Sequence, residues 1–521
     1  MGSPSVSIKM SYTGKQIKKI FLGGGFGLIG EAAFITFGFV IVFLSVKILG
    51  PREYGIFVLA LTIINILGVI CKQGLHTGML KQITQFFSQN KNLEANGVFR
   101  YSFYRTLVIS LIVCLIITIS AQYFVHFFDK DPILRTYLII LSFILPFMVM
   151  FTISLFGLQA VGRVKQMIFQ EKVLKPGLHV SLLALIFVTL VHFKWPLNNT
   201  ISFLGVYIFV IIATCLFTYR SLKGSGLSLF HPAKEFNKRE YLHFAYPLLF
   251  HGIIGLLTTW TSTLMIAYFI LDPQEIGSFY VIFKISSFCV IALISLDRAF
   301  APIIGELYYR NAREELLKIY RAVTRWALIG AVFVLVLVTL IGKDILELFD
   351  PSYTIAYIPL IILCISRVID ASVGSVAYIL LMTGHSRIIL YNSIFILLIN
   401  VTLNYLLIPL HGIIGAAIAT AISYSIKNFI WMIFVYYKTN LQPYDRYYFK
   451  TISTFLLSLI SVITFRYILP HNLMTSAFNF IIFLCLFCIS YILFGVDDTD
   501  RELIQKVANR FMHKHSYEEE R

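Results

Sequence analysis

Ionisable groups are costly inside long apolar stretches, so the few found there are the first candidates for chemistry. In this chain they are Lys284, Arg367 and Lys427, set against Glu31 and Asp370. The excess of positive charge suits an anion such as a phosphate. Lys284 lies roughly 12 Å into its apolar run at about 1.5 Å per residue, and it either meets a phosphate, snorkels or forms a structural pair. Arg367 and Asp370 are spaced i,i+3 and share a helix face. They either neutralise each other or line a cavity, where the arginine fork would bind phosphate oxygens in pairs. Lys427 divides between cavity lining and snorkelling. Arg298, beside Asp297 at the end of the run that holds Lys284, is an interface anchor or a mouth residue that draws in the anion. Glu31 is the acid deep in the first half. It either pairs across the halves with Lys284 or Arg367, or takes up a coupling ion, H+ or Na+. No other cofactor is implied.

Uncharged polar groups form a second set. Residues 258–263 read TTWTST, with His251 two turns earlier. Thr259 and Ser262 offer hydroxyls and Trp260 a stacking face for a sugar, with Tyr280 and Asn404 as weaker candidates of the same kind. The bland reading is that these hydroxyls bond back to the preceding helical turn or pack on a neighbouring helix.

These residues must be positioned by membrane helices. The chain has 521 residues, 58% hydrophobic and 13% charged, with a mean hydropathy of +0.81. A soluble domain carries about 25% charge, so this is an integral membrane protein. Fourteen apolar runs are long enough to cross a bilayer as helices, at about 22–46, 54–72, 102–123, 134–158, 175–193, 199–219, 244–270, 276–297, 325–346, 353–382, 387–408, 412–437, 448–469 and 476–495. With the N-terminus cytoplasmic, 33 of the 43 Lys and Arg fall in the tails and cytoplasmic loops, 7 in outward loops and 3 within spans. This asymmetry places both termini in the cytoplasm. It also explains the net charge of +17 as orientation and lipid attraction rather than nucleic-acid binding. Outward loops are short. The cytoplasmic segment 298–324 reads as an amphipathic helix on the membrane surface. Pro146, Pro247 and Pro359 are candidate kinks.

All seven cysteines fall in or beside apolar runs and read as small hydrophobes, including the C-x-x-C of Cys485 and Cys488. No metal site, nucleotide fingerprint or nucleophile motif is present. Asn198-Asn199-Thr200 is a formal glycosylation sequon in an outward loop.

A sixteen-residue stretch occurs twice. Residues 48–63 read ILGPREYGIFVLALTI and residues 270–285 read ILDPQEIGSFYVIFKI, with seven identities at an offset of 222. Each links an odd span to an even one on the outer face and opens a set of six spans, so the halves share one orientation. The expected organisation is a tail at 1–20, an N-lobe at 21–222, a C-lobe at 223–440, two extra helices at 441–496 and a tail at 497–521. Thr62 of the first copy is replaced by Lys284 in the second. With most buried charge in the second half, recognition is expected to be weighted to the C-lobe.

The stretch ILGPREYGIFVLALTI resembles the polysaccharide transporter or oligosaccharide flippase (Wzx-like) family of the multidrug/oligosaccharidyl-lipid/polysaccharide (MOP) superfamily. Gly384, Asn392, Asn400, Asn404 and LIPLHGIIGAAIATAIS at 407–423 add to the resemblance, which covers about 20–495. It implies two six-helix lobes around a central cavity in the cell membrane. It implies a flippase that moves a polyprenyl-(pyro)phosphate-linked oligosaccharide to the outer leaflet by alternating access, not an enzyme. Its partners would be that substrate, membrane lipids and other glycan-assembly proteins. The alternatives are a cation-coupled multidrug exporter and, from another class, a membrane glycan polymerase or ligase.

Overall fold

The computed structural model describes residues 12–128, 131–193, 199–468 and 473–491. The C-terminal tail, most of the N-terminal tail and Asn198 of the sequon lie outside the described residues. The described chain is all-helical. The first half comprises α1 (Tyr12–Leu49), α2 (Pro51–Lys72), α3 (Leu75–Ser88), α4 (Asn92–Phe128), α5 (Ile133–Ala160), α6 (Val164–Phe169), α7 (Lys175–Phe193) and α8 (Asn199–Arg220). The second comprises α9 (Lys238–Phe269), α10 (Pro273–Ser286), α11 (Ile291–Tyr309), α12 (Arg313–Phe349), α13 (Tyr357–Val373), α14 (Val376–Met382) and α15 (Ser386–Thr439), and α16 (Arg446–Ile468) and α17 (Leu473–Ser490) follow.

Among the described residues, 11 helical segments are long and apolar enough to cross a membrane. One is the 54-residue α15, bent at Gly412 (φ 56°, ψ −135°) just after Pro409, so it supplies two of the expected spans. Gly412 must be glycine for its left-handed φ. The last two helices pack as a pair on α12, where Phe333 meets Phe455, Phe483 and Phe487 edge-on.

Each half is knitted internally. In the first, α5 packs on α2, α4 and α8, and α7 joins α1 to α8. In the second, α13 packs on α10, α12 and α15, and α15 on α9. The seam between halves is made by α2 against α9 and α10, and by α1 against α11. The repeated stretches sit on that seam. Each opens a helix with proline at the first turn, Pro51 after Gly50 and Pro273 after Asp272, whose carboxylate accepts from the Gln274 amide at 3.0 Å. Proline is at home there because its missing N–H would be unpaired anyway. The two copies then touch: a Cβ on Gly55 would stand 1.8 Å from the carbonyl oxygen of Pro273, and one on Gly277 would be 3.3 Å from Gly55 Cα. Glycines at a helix crossing let backbones approach closely, the usual solution where lipid gives no hydrophobic drive. Any side chain at Gly55 forces the halves apart.

Three local expectations change. Segment 298–324 is not a surface helix. It is the end of α11, a turn, and the start of α12, and its apolar face is buried, with Tyr320 fully enclosed and donating to the Val373 carbonyl at 2.8 Å. Pro359 lies in the first turn of α13, where it kinks nothing. The expected tenth span breaks instead at Gly374 (φ 68°) between α13 and α14. The fifth span starts earlier than expected: α6 runs through a π-turn at Gln170–Leu174 directly into α7. Pro176 has no amide hydrogen for the helical ladder, and the wide turn lies immediately before it.

Candidate functional site

That lengthened fifth span reshapes the site. Lys172 and Lys175 counted as loop charges in the sequence, but both lie within the helical segment Val164–Val191. With His179 they are spaced i, i+3, i+7 and share one helix face. Lys175 and His179 line a half-open cavity of about 530 Å³, whose other walls come chiefly from α1, α2 and α5. Among its lining residues only Tyr280 and Lys284, on α10, belong to the second half. The lining carries three lysines, Lys72, Lys175 and Lys284, against one carboxylate, Glu171. Asn65, Gln159 and Thr152 add neutral hydrogen-bonding groups, and Phe34, Phe151 and Tyr207 add aromatic faces.

Two of the lysines rest against aromatic rings. Lys175 stands 4.8 Å from the centre of the Phe151 ring and Lys284 5.3 Å from that of Tyr280. Such contacts steady a cation without neutralising it. His179 packs edge-on against Tyr207, and its Nε2 is buried with no hydrogen-bond partner among the described residues. A buried polar atom without a partner, at the wall of a cationic cavity, is positioned for a ligand acceptor or water.

At the cavity edge lies an ionic tie across the seam. Glu31 of α1 is ion-paired with Lys172 Nζ at 2.8 Å and with Arg298 of α11. Lys172 also rests 4.4 Å from the centre of the Phe34 ring, which lines the cavity. Glu31 therefore pairs across the halves, but with Arg298, and with Lys172 in its own half, rather than with Lys284 or Arg367.

The remaining expected cations stand elsewhere. Arg367 lies between the rings of Phe283 and Tyr424, at 5.1 and 5.0 Å, and 3.9 Å from Asp370. Asp370 also accepts from Asn428 Nδ2 at 2.7 Å. Lys427 lies over Tyr424 and Trp431, at 4.6 and 5.0 Å. Neither Arg367 nor Lys427 lines the cavity.

Of the polar uncharged candidates, Tyr280 lines the cavity and Trp260 stacks on it, with ring centres 5.7 Å apart and planes 10° from parallel. Thr259 donates back to the Gly255 carbonyl at 2.9 Å. Ser262 is buried against Thr420 of α15 at 2.9 Å, and Asn404 is fully buried and bonded to the Asn400 carbonyl at 2.7 Å. Those three follow the packing reading. No group of three or more His, Cys, Asp or Glu side chains among the described residues could hold a metal ion.

Two halves built of apolar helices, with a lysine-bearing cavity walled mainly by the first, define a multi-pass membrane protein. The chain belongs to the MatE family, whose model matches residues 28–185 and 247–406, one block in each half. It is 29% identical over 179 residues to a Haloferax volcanii protein described as "Probable flippase AglR", an alignment spanning 33% of this chain and 37% of that protein. Its fold is similar to the solved structure of the lipid II flippase MurJ in an inward closed conformation (TM-score 0.66, 12% identity, 88% of this chain and 97% of that one). It is also similar to an inward-facing multidrug resistance MATE family transporter of the MOP superfamily (TM-score 0.63, 13% identity, 84% and 96%). Likeness at that identity speaks to the fold alone.

Proposed function

We propose that this chain flips a lipid-linked oligosaccharide whose headgroup carries a phosphate or pyrophosphate, by alternating exposure of the cavity. The observation that carries this reading is the polarity of the cavity: Lys72, Lys175 and Lys284 against Glu171 alone. Ammonium groups held by ring faces keep their charge available to phosphate oxygens. The Trp260–Tyr280 stack supplies a flat apolar surface beside them, suited to a sugar ring. The flippase descriptions of AglR and MurJ support the same direction. The charge asymmetry of the loops supports cytoplasmic termini, with the repeated turns on the outer face. Neighbouring glycan-assembly proteins and a coupling ion, H+ or Na+, belong to the same proposal.

Deleting the gene is expected to accumulate a lipid-linked glycan on the cytoplasmic side, and the native gene to clear it. Full clearance by a Lys175→Ala/Lys284→Ala variant would remove the cavity's role. The multidrug-exporter reading rests on the MATE likeness, and cationic-dye efflux that disappears on deletion would favour it. A cavity with excess positive charge is poorly suited to such cargo. Membership of a transporter family also weighs against a polymerase or ligase.

A further inference from the structure

A second recess, sharing no lining residue with the first, lies on the flank of the first half. It is an open groove of about 670 Å³ between the start of α4 and the segment 233–238 that leads into α9. Its lining includes Arg100, Arg105, Lys234 and Lys238, with Glu235 as the one carboxylate. Lys234 is paired with Glu94 at 3.4 Å. Arg105 is fixed by Gln73, Tyr101 and Tyr246, at 2.8, 2.5 and 3.0 Å, so its fork is preset. Arg100 has one long bond, 3.4 Å, to the His231 carbonyl. Lys238 lies 5.9 Å from the centre of the Tyr101 ring.

Directly along α4 from this groove runs an exposed apolar strip. Val108, which also lines the groove, is 53% exposed, Leu111 52%, Leu115 61% and Ile119 75%. Tyr101 and Tyr104 stand at the junction, where amphipathic rings mark the level of the headgroups. Cations, then tyrosines, then an apolar strip along one helix is the order of parts in a phospholipid. We propose that this groove binds the headgroup of an anionic glycerophospholipid, with its acyl chains along the α4 strip. A free phosphate would use the cations and leave the strip unused.

The site is also built into the connection between halves. Asn96 of α4 donates to the carbonyls of His231 and Pro232, at 3.1 and 3.0 Å, and accepts from the Ser228 amide at 2.9 Å. A Cβ on Gly97 would come 2.3 Å from the Lys234 carbonyl oxygen, so α4 and the connecting segment are in backbone contact under the groove. A bound headgroup bridges the two and strengthens that docking. The inference does not depend on the transported substrate.

Native mass spectrometry of the full-length protein, released into detergent with added phosphatidylglycerol or phosphatidylcholine, tests it. Phosphatidylglycerol should be retained over phosphatidylcholine, and Arg100→Gln/Lys238→Gln should lower its retention about tenfold or more, given roughly one contribution per surface cation. Arg100→Lys/Lys238→Arg should keep it, as should Lys343→Ala, remote in sequence on α12. The exposed single variant Lys238→Gln carries the test if the double variant fails to fold. Equal retention of the two lipids, undiminished retention in the Gln variants, or displacement by inorganic phosphate alone would overturn the proposal.

Discussion

The cations within the helical spans fall into two groups that differ in what surrounds them. Lys72, Lys175 and Lys284 face open volume, steadied by rings or by none, with one carboxylate among them. Arg367 and Lys427 face protein: Arg367 has two rings and Asp370, and Lys427 two rings. In the proposed reading the first group keeps its charge available for a ligand. The second spends it on holding α10, α13 and α15 together. The difference teaches that the candidate binding groups among intramembrane cations are set apart by the space in front of them, not by their depth.

The comparison breaks first at the lysines. Lys175→Ala/Lys284→Ala should lower transport by about a hundredfold, as each charge-assisted contact is worth about 1.5–3 kcal/mol. Membrane-inserted protein levels should be unchanged, as read by quantitative immunoblotting beside a flipping assay in vesicles. Next is the second group. Asp370→Leu should destabilise the fold by about 3 kcal/mol, because it strands Arg367, whereas Arg367→Met/Asp370→Leu should recover most of that loss. Thermal unfolding in detergent distinguishes the two variants. Loss of transport in the stable double variant would move Arg367 into the first group.

A smaller effect is expected at the seam. Glu31→Gln should weaken the tie to Lys172 and Arg298 by about 1 kcal/mol, since Arg298 is partly exposed, and shift the lobes about fivefold toward separation. Distances between spin labels on α1 and α11 would report it, and an unchanged distribution would leave the tie without a role in lobe motion. The smallest is Lys427→Met, which should cost less than about 1 kcal/mol in stability and leave transport intact.

Much of the architecture was legible in the sequence. Long apolar runs specify spans because an unpaired backbone cannot be left in lipid, and the repeat announced the two halves. The structure adds that the two repeats touch at Gly55 and Pro273, a contact whose distance no one-dimensional pattern encodes. The site was read less well. Starting the fifth span at Lys175 assigned Lys172 and Lys175 to a loop, although 172, 175 and 179 already carry a helical spacing. Lys72 was likewise assigned to a loop, although it lies seven residues after Asn65 on the same face of α2. Weighting recognition toward the second half followed from counting charges in the spans as first drawn. The cavity is instead walled mainly by the first half, and the second contributes Tyr280 and Lys284. The partner of Glu31 could not be read at all, because Arg298 reaches it only through the packing of α1 on α11.

The meeting of Gly55 with Pro273 has a mechanical consequence. Backbone against backbone, with no side chain between, leaves this contact little room to slide. It is a natural fulcrum. From Gly55 to Lys72 along α2 is roughly 25 Å at about 1.5 Å per residue, so a tilt of about 10° about that point would sweep Lys72 through roughly 4 Å. A small rotation at the glycine would thus be geared up into a stroke comparable to the width of a phosphate group at the far end of the helix.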